Sequence, residues 1–241
     1  MGAEEQQNIP TESIRVFGNA LLSDPLSDLS VEIAEIPLDL LFEKGSVLEE
    51  IPILKLALAV FRTGKGIKER FELKKQLVFL QKLSRCEVNA DAKEKRRRAY
   101  ENNERWFYEE LEHIAVYISR LDSTHKASIL AECYADFVDG AITRAQFEEY
   151  LGITDRLFLG DSDTLLEHYE AARNSANTAQ SNDNSWRPQG NSSICNRLSS
   201  LGLLVPLYGM RFGLAPNSYY DITDSGKYYA ELLSRVFPKR P

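Results

Sequence analysis

The sequence predicts a mainly α protein: a multi-helix body followed by a small α+β unit at the C-terminus. Three observations carry this expectation. Apolar residues recur at spacings of three and four through most of the first 173 positions, the period of a helix with one buried face. A stretch at 174–193, rich in Asn, Ser and Gln, then breaks the pattern. Beyond it the order changes to a short helix, a glycine stop, two β-prone stretches and a capped helix.

Residues 1–10 are polar and expected to be disordered, and the helical body is expected over 11–173. Ile14, Phe17, Leu21 and Leu22 mark its first helix. Asp24-Pro25 opens the next, which runs to about Phe42 with Leu29, Ile33, Ile36 and Leu40 on one face and Pro37 as a kink or split. Ile51 to Arg62 is apolar on nearly every side. After Gly64 and Gly66 the pattern resumes over Ile67 to Leu83, with Phe71, Leu73, Leu77, Val78, Phe79, Leu80 and Leu83 apolar. Phe107, Leu111, Ile114, Ile118 and Leu121 then form a seam that must pack on another helix. Leu130, Cys133, Tyr134 and Phe137 mark a helix ended by Gly140. Phe147, Tyr150, Leu151 and Phe158 mark the next, with Thr143 and Gln146 as a capping box at its start. Asp161 opens a further helix to about Arg173.

The 174–193 stretch is expected to be a linker or insertion, because loops of this length are uncommon inside compact domains. The last unit is expected over 194–241. Ile194 to Leu204 reads as a short helix stopped by Gly202. Leu204 to Phe212 and Ser218 to Ile222 are β-prone, with Gly213 and Pro216 between them. Thr223 caps the closing helix. Helix, glycine stop, hairpin and capped helix is the order of a winged helix, so this unit is expected to be winged-helix-like.

Composition bounds the function classes. Hydrophobic residues are 43% and charged residues 27% of 241, ordinary for a globular protein. The net charge of −7 gives no global attraction to nucleic acid or anionic lipid. The charge is uneven: residues 1–61 carry net −8, 62–98 net +8 and 99–241 net −7. The acidic flanks neutralise the basic middle, or the middle is an anion-binding patch. Cys86, Cys133 and Cys195 have no short spacing, so neither a disulfide framework nor a zinc site is expected, and a reducing cytoplasm fits best. The acidic N-terminus does not read as a signal peptide, and Gln6 breaks the myristoylation pattern after Gly2. The apolar run Ile51 to Phe61, interrupted by Pro52 and Lys55, is about half the length of a spanning helix.

Motifs with chemistry fail on spacing. Arg62-Thr-Gly-Lys-Gly-Ile-Lys68 lacks the two glycines five positions apart that a phosphate loop needs. In an EF-hand register Gly140 and Ile142 fit, but Ala135, Phe137 and Gln146 stand where calcium needs oxygens, leaving Asp139 alone suitable. His113, His125 and His168 are isolated. No nucleophile elbow is present. The expectation is a non-catalytic protein with no cofactor and no metal site.

The remaining candidates are binding residues. Trp186 and Arg187 in the linker pair two side chains common at interface hot spots. Asn196, Arg197 and Arg211 are what the C-terminal unit offers to DNA or to a protein partner, thin for a DNA reader, which needs phosphate and base contacts. Lys65, Lys68, Arg70, Lys74 and Lys75 make the 51–83 hairpin a candidate anionic-surface element, on a membrane or elsewhere. The alternative for that hairpin is the packed centre of the helical body.

The segments Leu48-Glu-Glu-Ile-Pro-Ile-Leu54, Thr63-Gly-Lys-Gly-Ile-Lys-Glu-Arg70 and Lys74-Lys-Gln-Leu-Val-Phe-Leu80 resemble uncharacterised bacterial helical proteins. The tail Leu201-Gly-Leu-Leu204 with Asp221-Ile-Thr-Asp-Ser-Gly226 resembles the ending of abortive-infection-alpha-type proteins, which implies a setting in phage defence. Neither resemblance brings catalytic residues. The expected function is that of a bacterial cytoplasmic interaction or regulatory protein with an unidentified protein partner. A DNA-binding regulator and a peripheral membrane protein are the alternatives.

Overall fold

In this computed structural model the described residues are 17–18, 20–21, 26, 29–43, 66–177, 192–207 and 219–237. They are mainly helical, with one two-stranded antiparallel sheet near the C-terminus. The chain forms two compact units, Met1–Leu151 and Gly152–Pro241. The helix Ser162–Asn177 therefore groups with the C-terminal unit and not with the helical body.

The N-terminal unit is built around α2 (Ile67–Ser84), preceded by the single turn α1 (Leu38–Leu41). Leu73, Leu77, Val78, Phe79 and Leu80 are all buried, and α2 packs chiefly on α5 (Thr124–Asp139) and also on α4 (Glu104–Arg120). A helix apolar on most sides belongs in a core, which favours the packed-centre reading for residues 67–83. Residues 51–65 of the hairpin lie outside the described residues. Among the described residues, no helix is long and apolar enough to cross a membrane.

Over the described residues 29–43, the helix expected from Asp24 to Phe42 forms only as the single turn α1 beyond Pro37. Leu29 to Ile36 runs as a strap with one short 3-10 turn, Ile33–Glu35, and Pro37 stands directly before α1. The physical reason is where its backbone polar groups go. Gln81 Nε2 donates to Val31 O at 2.6 Å while its Oε1 accepts from Ile33 N at 2.8 Å. Lys74 Nζ donates to Ala34 O and Ile36 O, and Arg85 Nη2 to Leu29 O. Buried backbone groups must be paired somewhere, and here side chains of α2 replace the helical ladder.

The seam reading holds. Phe107, Leu111, Ile114, Ile118 and Leu121 are all buried. The helix before it is separate: α3 (Ala90–Asn102) ends at Asn103, whose N–H donates to Ala99 O and whose side chain accepts from Trp106 N to start α4. Gly140 ends α5 in the left-handed region at φ +80°. The capping box opens α6 (Arg144–Arg156): Gln146 N donates to Thr143 Oγ1, and Thr143 N to Gln146 Oε1. Phe158 falls beyond the end of α6 and is 65% exposed, so it does not continue that helix's apolar face.

In the C-terminal unit, a 3-10 turn (Leu159–Asp161) leads into α7 (Ser162–Asn177). Then come α8 (Ser192–Ser200), β1 (Leu204–Leu207), β2 (Tyr219–Ile222) and α9 (Asp224–Val236). β1 and β2 pair antiparallel, with Leu204 opposite Ile222 and Leu207 opposite Tyr219. α7 packs on α9 and β2, and α8 on β1. Gly202 turns the chain at φ +76°. Thr223 Oγ1 accepts from Gly226 N at 2.9 Å and lies 2.7 Å from Gly202 O, so one side chain ties the start of α9 to that turn.

Candidate functional site

Among the described residues, two places combine charge, aromatic surface and access. The first is a corner of the C-terminal unit. Arg197 projects from α8 and holds Asp161 bidentately, Nε to Oδ2 at 2.8 Å and Nη2 to Oδ1 at 2.6 Å. The Asp161 side chain is 3% exposed and the Arg197 side chain 50%. The fork geometry fixes the guanidinium plane, and the hydrogen bonds to Asp161 hold its pKa above the usual arginine value. The same guanidinium carbon lies 6.0 Å from the ring centroid of the exposed Phe158. Beside it Asn196 Oδ1 accepts from Tyr220 OH at 2.6 Å. Cys195, which precedes Asn196 on α8, is fully buried, and burial pushes its thiol up, away from the reactive thiolate.

The second place is in the N-terminal unit. Glu110 Oε1 accepts from Arg96 Nη2, from Tyr100 OH at 2.6 Å and from Tyr134 OH at 3.0 Å. Arg96 Nε donates to Tyr100 OH at 2.6 Å. The guanidinium lies over aromatic faces, 4.5 Å from the Phe137 centroid and 5.7 Å from that of Trp106. Burial pushes both phenols above their ordinary range, with the Glu110 carboxylate acting in the same direction. Burial opposes the charge on Arg96, but Tyr134, Tyr100 and Glu110 outweigh it and hold the guanidinium protonated. A cavity of about 260 Å³ lies against this cluster, lined also by the apolar Leu83, Val88 and Val138 and by Lys93 and Arg97.

Of the residues expected to bind partners, Asn196, Arg197, Lys68, Arg70, Lys74 and Lys75 are among the described residues. Arg197 and Asn196 share α8, but each is engaged within its own unit. Trp186, Arg187, Arg211 and Lys65 lie outside the described residues. Of the five basic candidates around the 51–83 hairpin, Lys68 is exposed and 4.0 Å from Glu72, and Arg70 packs over Phe42 at 6.0 Å. Lys74 and Lys75, expected at an anionic surface, are buried instead. They are 8% and 2% exposed, and their ammonium groups are spent on backbone carbonyls. Burial lowers the pKa of both. They cannot meet an anionic surface without leaving those carbonyls bare.

The sequence reading missed Asp161, Phe158 and the Arg96–Tyr100–Glu110–Tyr134 cluster as a unit. The one local signal was Arg96 and Tyr100 at i and i+4 on a helix, which places them on one face. Among the described residues, no three His, Cys, Asp or Glu side chains come together as a metal site would need. Compared with known proteins, the chain matches no family model, no curated protein and no solved structure.

Proposed function

We propose that the protein is a non-catalytic interaction or regulatory protein whose C-terminal unit meets a protein partner. The observation that carries this reading is Phe158, 65% exposed, under a guanidinium that Asp161 already holds in place. Arginine and aromatic side chains dominate binding energy at protein interfaces, and a side chain fixed beforehand loses less entropy on binding. A winged-helix-like character of the unit is supported by its element order, α8, the Gly202 turn, the β1–β2 pair and the capped α9.

The same geometry disfavours DNA as the partner. For a phosphate to take both donors of Arg197, Asp161 must give up its cation while nearly buried, and a buried carboxylate left unpaired is costly. Asn196, the polar side chain next to it, is already occupied by Tyr220. No disulfide joins Cys86, Cys133 or Cys195, which suits a reducing compartment. A setting in phage defence or stress rests on the resemblance of the tail alone.

The test replaces Phe158 by a photoreactive phenylalanine analogue in cells producing the full chain. Val116, 55% exposed in the N-terminal unit, is replaced in parallel as a control. Discrete protein adducts from position 158 and none from 116 are expected. Adducts to nucleic acid, or identical patterns from both positions, would overturn the reading.

A further inference from the structure

We propose that the N-terminal unit binds a small monocarboxylate with an apolar body in the cavity beside Arg96. The cavity lining mixes apolar and polar side chains: Leu83, Val88 and Val138 with Arg96, Tyr100 and Tyr134. Its volume of about 260 Å³ bounds the guest. A dry cavity of about 150 Å³ takes up benzene, so this one has room for a six-carbon ring or chain with a carboxylate attached.

The choice of head group follows from Arg96. Two of its three nitrogens are committed, Nε to Tyr100 and Nη2 to Glu110. Among the described residues Nη1 has no hydrogen-bond partner. It is not enclosed, unlike the unpartnered side-chain atoms Arg70 Nε, Ser162 Oγ and His168 Nε2 among the described residues. The Arg96 side chain keeps 15% of its surface exposed. An accessible guanidinium nitrogen, on a group held rigid by Phe137, Tyr100 and Glu110, is a preorganised donor for a carboxylate oxygen. The phenols add no free proton, since both already donate to Glu110. Lys93 and Arg97 at the cavity favour an anion, while Glu94 there and Glu110 behind Arg96 oppose a second negative charge. A monoanion fits this balance better than a phosphate does.

The experiment titrates the full chain with benzoate and with hexanoate, which separate an aryl from an alkyl body. Benzyl alcohol, hexanol and inorganic phosphate are the controls, and binding is followed by calorimetry and by amide chemical shifts. Saturable one-to-one binding of at least one acid is expected, tenfold or more tighter than its alcohol and than phosphate. Arg96→Lys should weaken it at least tenfold. Because Arg96 also supports the core, Val138→Phe is the companion variant: it fills cavity volume and removes none of the polar groups. It should keep the wild-type melting profile and lose binding by at least tenfold. No saturable binding at millimolar acid, an alcohol binding as tightly as its acid, or a folded Val138→Phe that binds unchanged would each overturn the proposal.

Discussion

Lys75 closes the C-terminus of α4 by donating from Nζ to the carbonyl oxygen of Leu121 at 2.6 Å, and to that of Ser119 at 2.8 Å. Terminal carbonyls have no partner inside their own helix, and the helix dipole places partial negative charge there. A lysine reaching across from α2 supplies both the proton and the positive charge. Its neighbour Lys74 does the same for the 3-10 turn, donating to Ile36 O at 2.6 Å. Two adjacent lysines thus fasten α2 to two different segments.

Lys75→Met keeps most of the buried stem and removes the donor. It should cost about 1–3 kcal/mol, the usual penalty for leaving buried polar groups unsatisfied. Chemical denaturation of the full chain, following the N-terminal unit, checks this. An unchanged midpoint would mean that the carbonyls find other partners.

Gly226 gives a paired test in the C-terminal unit. A Cβ there would overlap the carbonyl oxygen of Leu203 and lie 2.8 Å from Ile222 Cγ1. Gly226→Ala should therefore destabilise by about 1–3 kcal/mol or more, because backbone must move. Gly152→Ala is the control. Its nearest neighbour would be Arg156 Nη2 at 3.9 Å, within the interior of α6. That change should be neutral or stabilise by roughly 0.5–1 kcal/mol, the helical preference of Ala over Gly. Equal effects at the two sites would contradict the close approach of α9 to the Gly202 turn.

The features legible in the sequence are those fixed by near neighbours along the chain. The Phe107 to Leu121 seam, the Gly140 stop, the Thr143–Gln146 box and the Thr223 cap each depend on residues a few positions apart. The 29–36 strap was not legible, because its backbone partners Lys74, Gln81 and Arg85 are 38 to 56 residues away. Locally its apolar spacing mimics a helix. Lys74 and Lys75 misled for the same reason: a lysine pair on a basic helix looks solvated until the carbonyls it serves are in view. Arg197 stood out in sequence as a surface cation, but its partner Asp161 is 36 positions away. The exposure of Phe158 depends on α6 stopping at Arg156, and apolar spacing alone carried the helix on.

Glu94 links pH to α3. Hydrogen bonds from Arg97 and Arg98 lower its pKa from 4.5 to about 2. A carboxylate with a depressed folded pKa contributes stability that is present above its unfolded pKa and lost as pH falls through the folded one. The contribution of Glu94 should therefore be intact above pH 4.5 and fade towards pH 2. An NMR titration of the Glu94 carboxyl carbon checks the midpoint. A value near 4.5 would show that the two arginines do not hold it in solution.

Protein against nucleic acid is the division on which the reading of the C-terminal unit turns. Binding of the full chain to duplex DNA, measured by fluorescence anisotropy across a salt series, separates the two. At physiological salt the expected dissociation constant is no tighter than the non-specific range of roughly 10⁻⁴–10⁻⁶ M, with no preference among sequences. Nanomolar, sequence-selective binding would contradict the reading, above all if its salt slope fell by about 1 in Arg197→Ala, since that would make Arg197 a phosphate contact and not the fixed partner of Asp161.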